Sequence, residues 1–242
     1  MNELFKPIKP ATPVQQVVRT MEDHILEGRL KPGDKLPPER ELAAAMNVSR
    51  PVIHEGLLEL AAKGLITMKP RHGSWINDYR RSGSLELLNA LYRYNRGALE
   101  PHLDEGMEEM RRVILKSSIQ GILKPESRGE FPKTIQELRL EYQKWLELDR
   151  NKPQSLAESD FNFYFSLVYN SGNPIYPLIF NSAREMYIGL LSRFFTHKEY
   201  YGIASKYKLN LIDALESGES EVAFRVIEKL CTYATYDRGY GE

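Results

Sequence analysis

The sequence is poor in cysteine and lacks any long hydrophobic run. Cys231 is the only cysteine among 242 residues, so no internal disulfide can form, and a reducing compartment fits this composition. No apolar stretch approaches the roughly 18 residues that a membrane-spanning helix needs. The first ten residues lack the apolar core of a secretory leader. We therefore expect a cytoplasmic protein with no membrane partner.

The chain also lacks an excess of charge of either sign. Its 33 Lys and Arg residues balance its 33 Asp and Glu residues. The first 80 residues are only slightly basic, so affinity for nucleic acid must come from a few well-placed Arg and Lys side chains. The sequence contains no Ser/His/Asp set, no Cys/His set and no phosphate-binding loop. We therefore expect that the protein is not an enzyme.

The most informative segment that is present lies between Leu36 and Ile76. It predicts a short helix, a turn at Asn47, a second helix that opens on Ser49, and two short strands around the residues KPRHG. Asn adopts the left-handed backbone at low cost, and Ser is a favoured helix N-cap. A further helix is predicted upstream, at about 13–27. This order of elements is typical of a winged helix-turn-helix, which places its second helix in a DNA major groove.

The start of such a recognition helix presents side chains to base edges. Arg50 has the geometry to pair with guanine, and Arg40 lies where a cation can meet the DNA backbone. His54 is open to two interpretations, a base contact or a surface or packing residue. The candidate DNA-binding residues from this reasoning are Arg40, Ser49, Arg50, Val52, His54, Arg71 and His72.

Downstream of this segment the sequence predicts helices alone. Apolar residues recur at spacings of three and four, and no alternating strand pattern of useful length occurs. The candidate helices lie at about 84–97, 101–121, 133–150, 156–170, 174–196, 199–217 and 219–236. We therefore expect a mainly α protein, with an N-terminal winged helix-turn-helix followed by an all-helical antiparallel bundle of six or seven helices.

The corresponding domain prediction has four parts. Residues 1–11 contain two prolines and no periodicity, and are predicted to be a flexible arm. The DNA-binding domain is predicted at 12–78, a linker at 79–83, and an effector-binding and dimerisation domain at 84–242.

The DNA-binding segment resembles the GntR family of bacterial transcription regulators. The matching pieces are PGDKLPPERELA, VSRPVI and LAAKGLI. The resemblance implies that Arg40, Ser49, Arg50, His72 and Gly73 contact operator DNA. His54 stands where the family usually has a base-reading arginine, so the operator sequence is not carried over.

An all-helical domain after this segment resembles the FadR subgroup of the same family. Many members bind a divalent metal through one Asp and three His. Here Asp160 is present, but Tyr164, Lys208 and Leu230 stand where the histidines would fall. We therefore expect no metal site and no cofactor.

The C-terminal segments, of which SGNPIY is the most specific, are similar to those of fatty-acid-responsive members of the subgroup. That resemblance implies long-chain acyl-CoA as effector, bound near Met107, Arg111, Ala183, Tyr187 and Phe194. From the residues alone, an ordinary helical core stripe is the better explanation of these positions, and only the resemblance makes pocket lining an equal alternative. The partners we expect are double-stranded operator DNA, acyl-CoA or another small apolar or carboxylate metabolite, and a second copy of the chain in a homodimer.

Overall fold

In a computed structural model the described residues are 11–125 and 129–236, and the chain forms two compact units that divide between Tyr94 and Asn95. The predicted N-terminal arm lies outside the described residues, apart from Ala11. None of the helices in these ranges combines the length and apolar character that crossing a bilayer requires. Each unit is described by itself below.

The first unit is a small helical domain with a β hairpin. Its elements are α1 (Pro13–Leu26), α2 (Glu39–Ala45), α3 (Arg50–Ala62), β1 (Ile66–Lys69), β2 (Gly73–Ile76), α4 (Tyr79–Ser82) and α5 (Glu86–Tyr94).

Helix α1 begins at a capping box, in which Thr12 and Gln15 each bond the other's backbone amide. It packs closely on α3 because Gly56 has no side chain at the crossing. A Cβ built there would lie 2.9 Å from Cγ1 of Val17. Leu57 and Leu60 of α3 complete the core at this crossing and are almost fully buried.

The two strands form an antiparallel hairpin in which Ile66 pairs with Ile76, and Lys69 with Gly73. The chain before α2 lies along the other edge of β2, where the Leu36 amide donates to the Ser74 carbonyl at 2.8 Å. The predicted winged helix-turn-helix is therefore confirmed, and β2 has a backbone partner on both sides.

The segment predicted as a linker, 79–83, contains helix α4 and is anchored to the first unit. The Ser82 hydroxyl donates to the Gly64 carbonyl at 2.8 Å. Helix α5 follows and buries Leu87 and Ala90 in the same core. The amphipathic pattern of α5 was visible in the sequence, but such a pattern does not specify which core a helix joins.

The second unit is a helical bundle, as the sequence predicted. Its elements are α6 (Pro101–Ile122), α7 (Phe131–Leu146), α8 (Pro153–Tyr169), α9 (Ile175–Ser182), α10 (Arg184–Phe194), α11 (Glu199–Glu216) and α12 (Ser220–Tyr236). Helix α8 is central, packing against α6, α7, α9 and α10. Its residues Phe161, Phe163 and Tyr164 have no exposed surface.

One helix predicted from the sequence, 174–196, is two helices in the structure. The break falls at Ala183, whose backbone has φ −93° and ψ 2°. Neither proline nor glycine marks this position, so the sequence contains no local signal for it.

Candidate functional sites

The N-terminal end of α3 is the candidate DNA-reading surface. Helix α3 begins at Arg50, and Ser49 occupies the N-cap position in an extended conformation. Its hydroxyl makes no capping hydrogen bond, which differs from the usual role of an N-cap serine. The Ser49 and Arg50 side chains are both exposed.

Glu39, at the start of α2, connects two of these residues. Its carboxylate accepts a hydrogen bond from Nε of Arg50 at 3.3 Å, and its other oxygen lies 2.8 Å from Nδ1 of His54. The hydrogen bond from His54, aided by Arg50, lowers the pKa of Glu39 below its usual value. Glu39 was not among the candidates predicted from the sequence, although its place directly before Arg40 in PPERE was a signal.

The remaining candidates divide into exposed and half-buried residues. Arg40 is exposed on α2, and Arg71, His72 and Gly73 are exposed at the hairpin turn. Arg71 and Gly73 have positive φ values of 64° and 109°, which form the tight turn. Val52 is half-buried and packs against the core of the unit, so only part of its surface can meet DNA.

Two further cations lie beside Trp75 of the hairpin and were not singled out from the sequence. The Nζ atoms of Lys35 and Lys69 lie 5.2 Å and 5.3 Å from the ring centroid of Trp75. Lys35 precedes α2 in the chain, and only the pairing of its segment with β2 brings it beside Lys69. Together they add positive charge to the wing.

The second unit contains a narrow, mostly apolar cavity between α6, α9 and α10, with a volume of about 30 Å³. Four of the five effector residues expected from the sequence line it, although they come from distant parts of the chain. The lining residues are Met107, Glu108, Met110, Arg111, Phe180, Ala183, Met186, Tyr187, Leu190 and Leu191. The fifth expected residue, Phe194, is not among them and stacks on Tyr200 with ring centroids 4.0 Å apart.

The cavity has a polar edge formed by Arg111 and Tyr187. Arg111 donates to the Tyr187 hydroxyl at 2.8 Å, and that hydroxyl donates to Oδ2 of Asp160 at 2.9 Å. Burial raises the pKa of Tyr187 well above its usual value, so the phenol keeps its proton. Nε of Arg111 and the hydroxyl of Tyr164 are buried without a hydrogen-bond partner among the described residues.

Behind this edge lies a fully buried ion pair. The ammonium of Lys208 donates to Oδ1 of Asp160 and lies 4.0 Å from the ring centroid of Trp145. Burial lowers the pKa of Lys208, and the adjacent Asp160 carboxylate opposes this effect. Asp160 and Lys208 stand at positions where the resemblance would place metal ligands, and the ammonium here occupies one side of the carboxylate. Within the described ranges no three His, Cys, Asp or Glu side chains are grouped to hold a metal ion.

Comparison with known families agrees with this architecture. Residues 13–76 match the model of bacterial regulatory proteins of the gntR family. Residues 77–235 match the model of the FadR C-terminal domain. The chain belongs to the GntR family, in the group with a FadR C-terminal domain. Its family and its curated relatives are DNA-binding transcription regulators.

Several curated relatives carry different functional names. The HTH-type transcriptional regulator Mce2R of Mycobacterium tuberculosis is 31% identical over 107 residues, which are 44% of each chain. The fatty acid metabolism regulator protein of Cronobacter sakazakii is 28% identical over 144 residues, 59% of this chain and 60% of that one. The Uxu operon transcriptional regulator of Escherichia coli is 28% identical over 129 residues, 53% and 48% of the two chains. The matches span about half of these relatives or less, apart from the Cronobacter protein.

A solved structure shows the same fold. It is described as Lar, which controls the expression of the Listeria monocytogenes agr system. The TM-score is 0.62 at 17% identity, over 97% of this chain and all of that one.

Proposed function

We propose that this regulator controls genes of fatty-acid metabolism, and that long-chain acyl-CoA bound in the second unit relieves its binding to operator DNA. The observation that carries the proposal is the cavity between α6, α9 and α10. It joins apolar side chains, which suit an acyl chain, to a buried arginine at its edge, which suits an anionic or carbonyl group. The similarity to the fatty acid metabolism regulator of Cronobacter sakazakii supports the same ligand class.

Binding a long chain requires the cavity to widen. Its volume of about 30 Å³ is far below the roughly 300–1,000 Å³ typical of ligand pockets. Met107, Met110 and Met186 line it, and methionine side chains rearrange easily to fit irregular ligands. A ligand that binds only the widened form shifts the protein toward that form. We propose that the widened form has lower affinity for the operator.

A second candidate is a smaller apolar carboxylate. The narrow cavity and the Arg111–Tyr187 edge favour a compact ligand whose carboxylate pairs with the guanidinium. The Uxu operon regulator and the fatty acid metabolism regulator are both 28% identical to this chain. Relatives at this level of identity therefore include regulators of different systems.

The effector proposal is tested by operator affinity. DNA selected from a random library is titrated with the full chain by fluorescence anisotropy, with and without palmitoyl-CoA, palmitate or hexanoate. We expect palmitoyl-CoA to weaken binding by about 5- to 150-fold, the usual range of allosteric coupling. A response to hexanoate alone would favour the smaller carboxylate, and no response to any of the three would contradict both candidates.

A matched pair of variants locates the ligand. Ala183→Phe places a ring in the cavity and should abolish the response while leaving operator binding intact. Asn181→Phe adds the same ring at an exposed position of α9 and should respond as the unaltered chain does. An Ala183→Phe protein that keeps the full response would place the ligand elsewhere.

We further propose that the chain binds a palindromic operator as a homodimer, through the N-terminal end of α3 and the hairpin. Arg50→Ala should weaken operator binding by about 5- to 150-fold for each half-site, because a bidentate arginine–guanine contact is worth about 1–3 kcal/mol. The control is Arg19→Ala, which removes an exposed arginine from α1. Sedimentation should show two chains per operator, and a single bound chain would contradict the dimer.

A further inference from the structure

His54 occupies the position in α3 where the family usually has arginine. The contacts of its side chain determine which ring nitrogen can bind a ligand. The His54 side chain is 53% exposed, on the first turns of the recognition helix. Its Nδ1 lies 2.8 Å from the Glu39 carboxylate. In the described part of the chain no other hydrogen bond involves this ring. Glu39 therefore controls one ring nitrogen and leaves the other, Nε2, available for a ligand.

The chemistry of Glu39 determines which nitrogen carries the proton. A carboxylate can only accept hydrogen bonds, so Nδ1 must donate to it. Arg50 donates to the other oxygen of the same carboxylate, which further favours its ionised form. A neutral imidazole protonated at Nδ1 has an unprotonated Nε2, which is a hydrogen-bond acceptor.

An acceptor at this position has definite partners in the major groove. Cytosine N4 and adenine N6 are donors there, whereas guanine N7 and O6 and thymine O4 are acceptors. An arginine at the same position would donate, and would therefore select guanine.

We propose that Glu39 is a positioning residue that holds the neutral His54 ring with its proton on Nδ1, so that Nε2 accepts a hydrogen bond and selects cytosine or adenine at one operator position per half-site. This inference rests on the proposed placement of α3 in the major groove. It does not depend on the identity of the effector. It predicts an operator that differs from that of relatives with arginine at this position.

The test is a selection of binding sites from a random duplex library by the full chain and by three variants. The unaltered chain should show at least one half-site position that prefers cytosine or adenine. His54→Arg should shift that position to guanine. Glu39→Gln should reduce the preference there, because an amide can accept from or donate to Nδ1 and no longer fixes the proton. Glu41→Gln, which removes an exposed carboxylate from the same helix, should leave the profile unchanged.

The affected position is then examined in single duplexes by anisotropy. We expect the unaltered chain to favour cytosine or adenine over guanine by about 3- to 10-fold, as one neutral hydrogen bond contributes, and Glu39→Gln to reduce that ratio toward one. A Glu39→Gln profile identical to the unaltered one would overturn the role of Glu39. A preference for guanine or thymine at the position that His54→Arg changes would overturn the acceptor assignment. A chain that selects no sequence would overturn the proposed DNA-binding surface as well.

Discussion

Lys208 is a charged residue without exposed surface, and it is accommodated in the core because Asp160 accepts a hydrogen bond from it. Tyr187 satisfies the second oxygen of the same carboxylate, and Arg111 holds Tyr187. Such a network is stable when complete and costly when one member is removed. Its proximity to the cavity means that a ligand contacting Arg111 or Tyr187 also acts on this network.

The first residue-scale prediction concerns Lys208→Met. Removing the ammonium leaves the buried Asp160 carboxylate with only the Arg111 guanidinium, 4.0 Å away, as a cationic neighbour, and we expect a loss of about 3–5 kcal/mol of unfolding free energy. Urea denaturation followed by circular dichroism measures it. The control Lys206→Met, at an exposed position of the same helix, should change stability by less than about 0.5 kcal/mol. Adding Asp160→Asn to Lys208→Met should recover part of the loss. A Lys208→Met protein as stable as the control would contradict the role of the pair.

The second residue-scale prediction concerns Cys231. Burial raises the pKa of its thiol to about 11 from an ordinary value of 9.0. The folded state therefore binds the proton more tightly than the unfolded state, and the resulting stability is complete below pH 9 and decreases as the pH rises toward 11. Relative to Cys231→Ala, the unaltered chain should lose on the order of 2 kcal/mol across this window. Denaturation of both proteins at several pH values measures the difference, which should be constant below pH 9. A difference that is the same at pH 8 and pH 11 would contradict the shift.

At the scale of elements, close approach of backbones determines how α6 is placed in the second unit. A Cβ at Gly121 would lie only 2.0 Å from the carbonyl oxygen of Ser171. The turn after α8 therefore packs directly against the backbone of α6, and any side chain at Gly121 would force the two apart. Gly106, on the same helix, has no atom within 4 Å of its Cβ position.

These two glycines give a matched prediction. Gly121→Ala should lower the unfolding free energy by about 1–3 kcal/mol, since backbone must move to relieve the clash. Gly106→Ala should raise it by about 0.5–1 kcal/mol, because alanine favours the helix and no atom opposes it. Thermal and urea denaturation measure both. A neutral Gly121→Ala substitution would show that the turn at Ser171 is not held against α6.

Some elements could be predicted from the sequence and others could not. Helix α1 and the hairpin were predictable because their signals are local, namely an apolar repeat and a Gly-containing turn. The break at Ala183 and the packing of α5 in the first unit were not, because both depend on contacts between residues distant in sequence.

At the scale of the whole molecule, the proposed function is a linkage between two binding events. If acyl-CoA weakens operator binding by some factor, operator DNA must weaken acyl-CoA binding by the same factor. Isothermal titration of palmitoyl-CoA into the chain, with and without saturating operator, should give the ratio found by anisotropy. Unequal ratios would indicate that the ligand acts by a route other than a two-site linkage, such as competition for the DNA surface.

By itself the sequence determined the class of protein. The helix-turn-helix and wing are encoded in one continuous segment, Leu36 to Ile76, whose caps, turns and apolar spacing act locally. For the same reason Arg40, Arg50 and the wing residues could be named as DNA-binding candidates in advance.

Only the tertiary structure decided how these parts act together. In the folded chain Glu39 contacts His54. Met107, Arg111, Ala183 and Tyr187 line one cavity, and Phe194 lies outside it and stacks on Tyr200. The tertiary structure also paired Lys208 with Asp160. From the sequence, these two residues indicated only that a metal site was not expected. The physical reason is the same in each case. Hydrogen bonds, ion pairs and cavities depend on distances between side chains from separate helices, and those distances arise only when the helices pack.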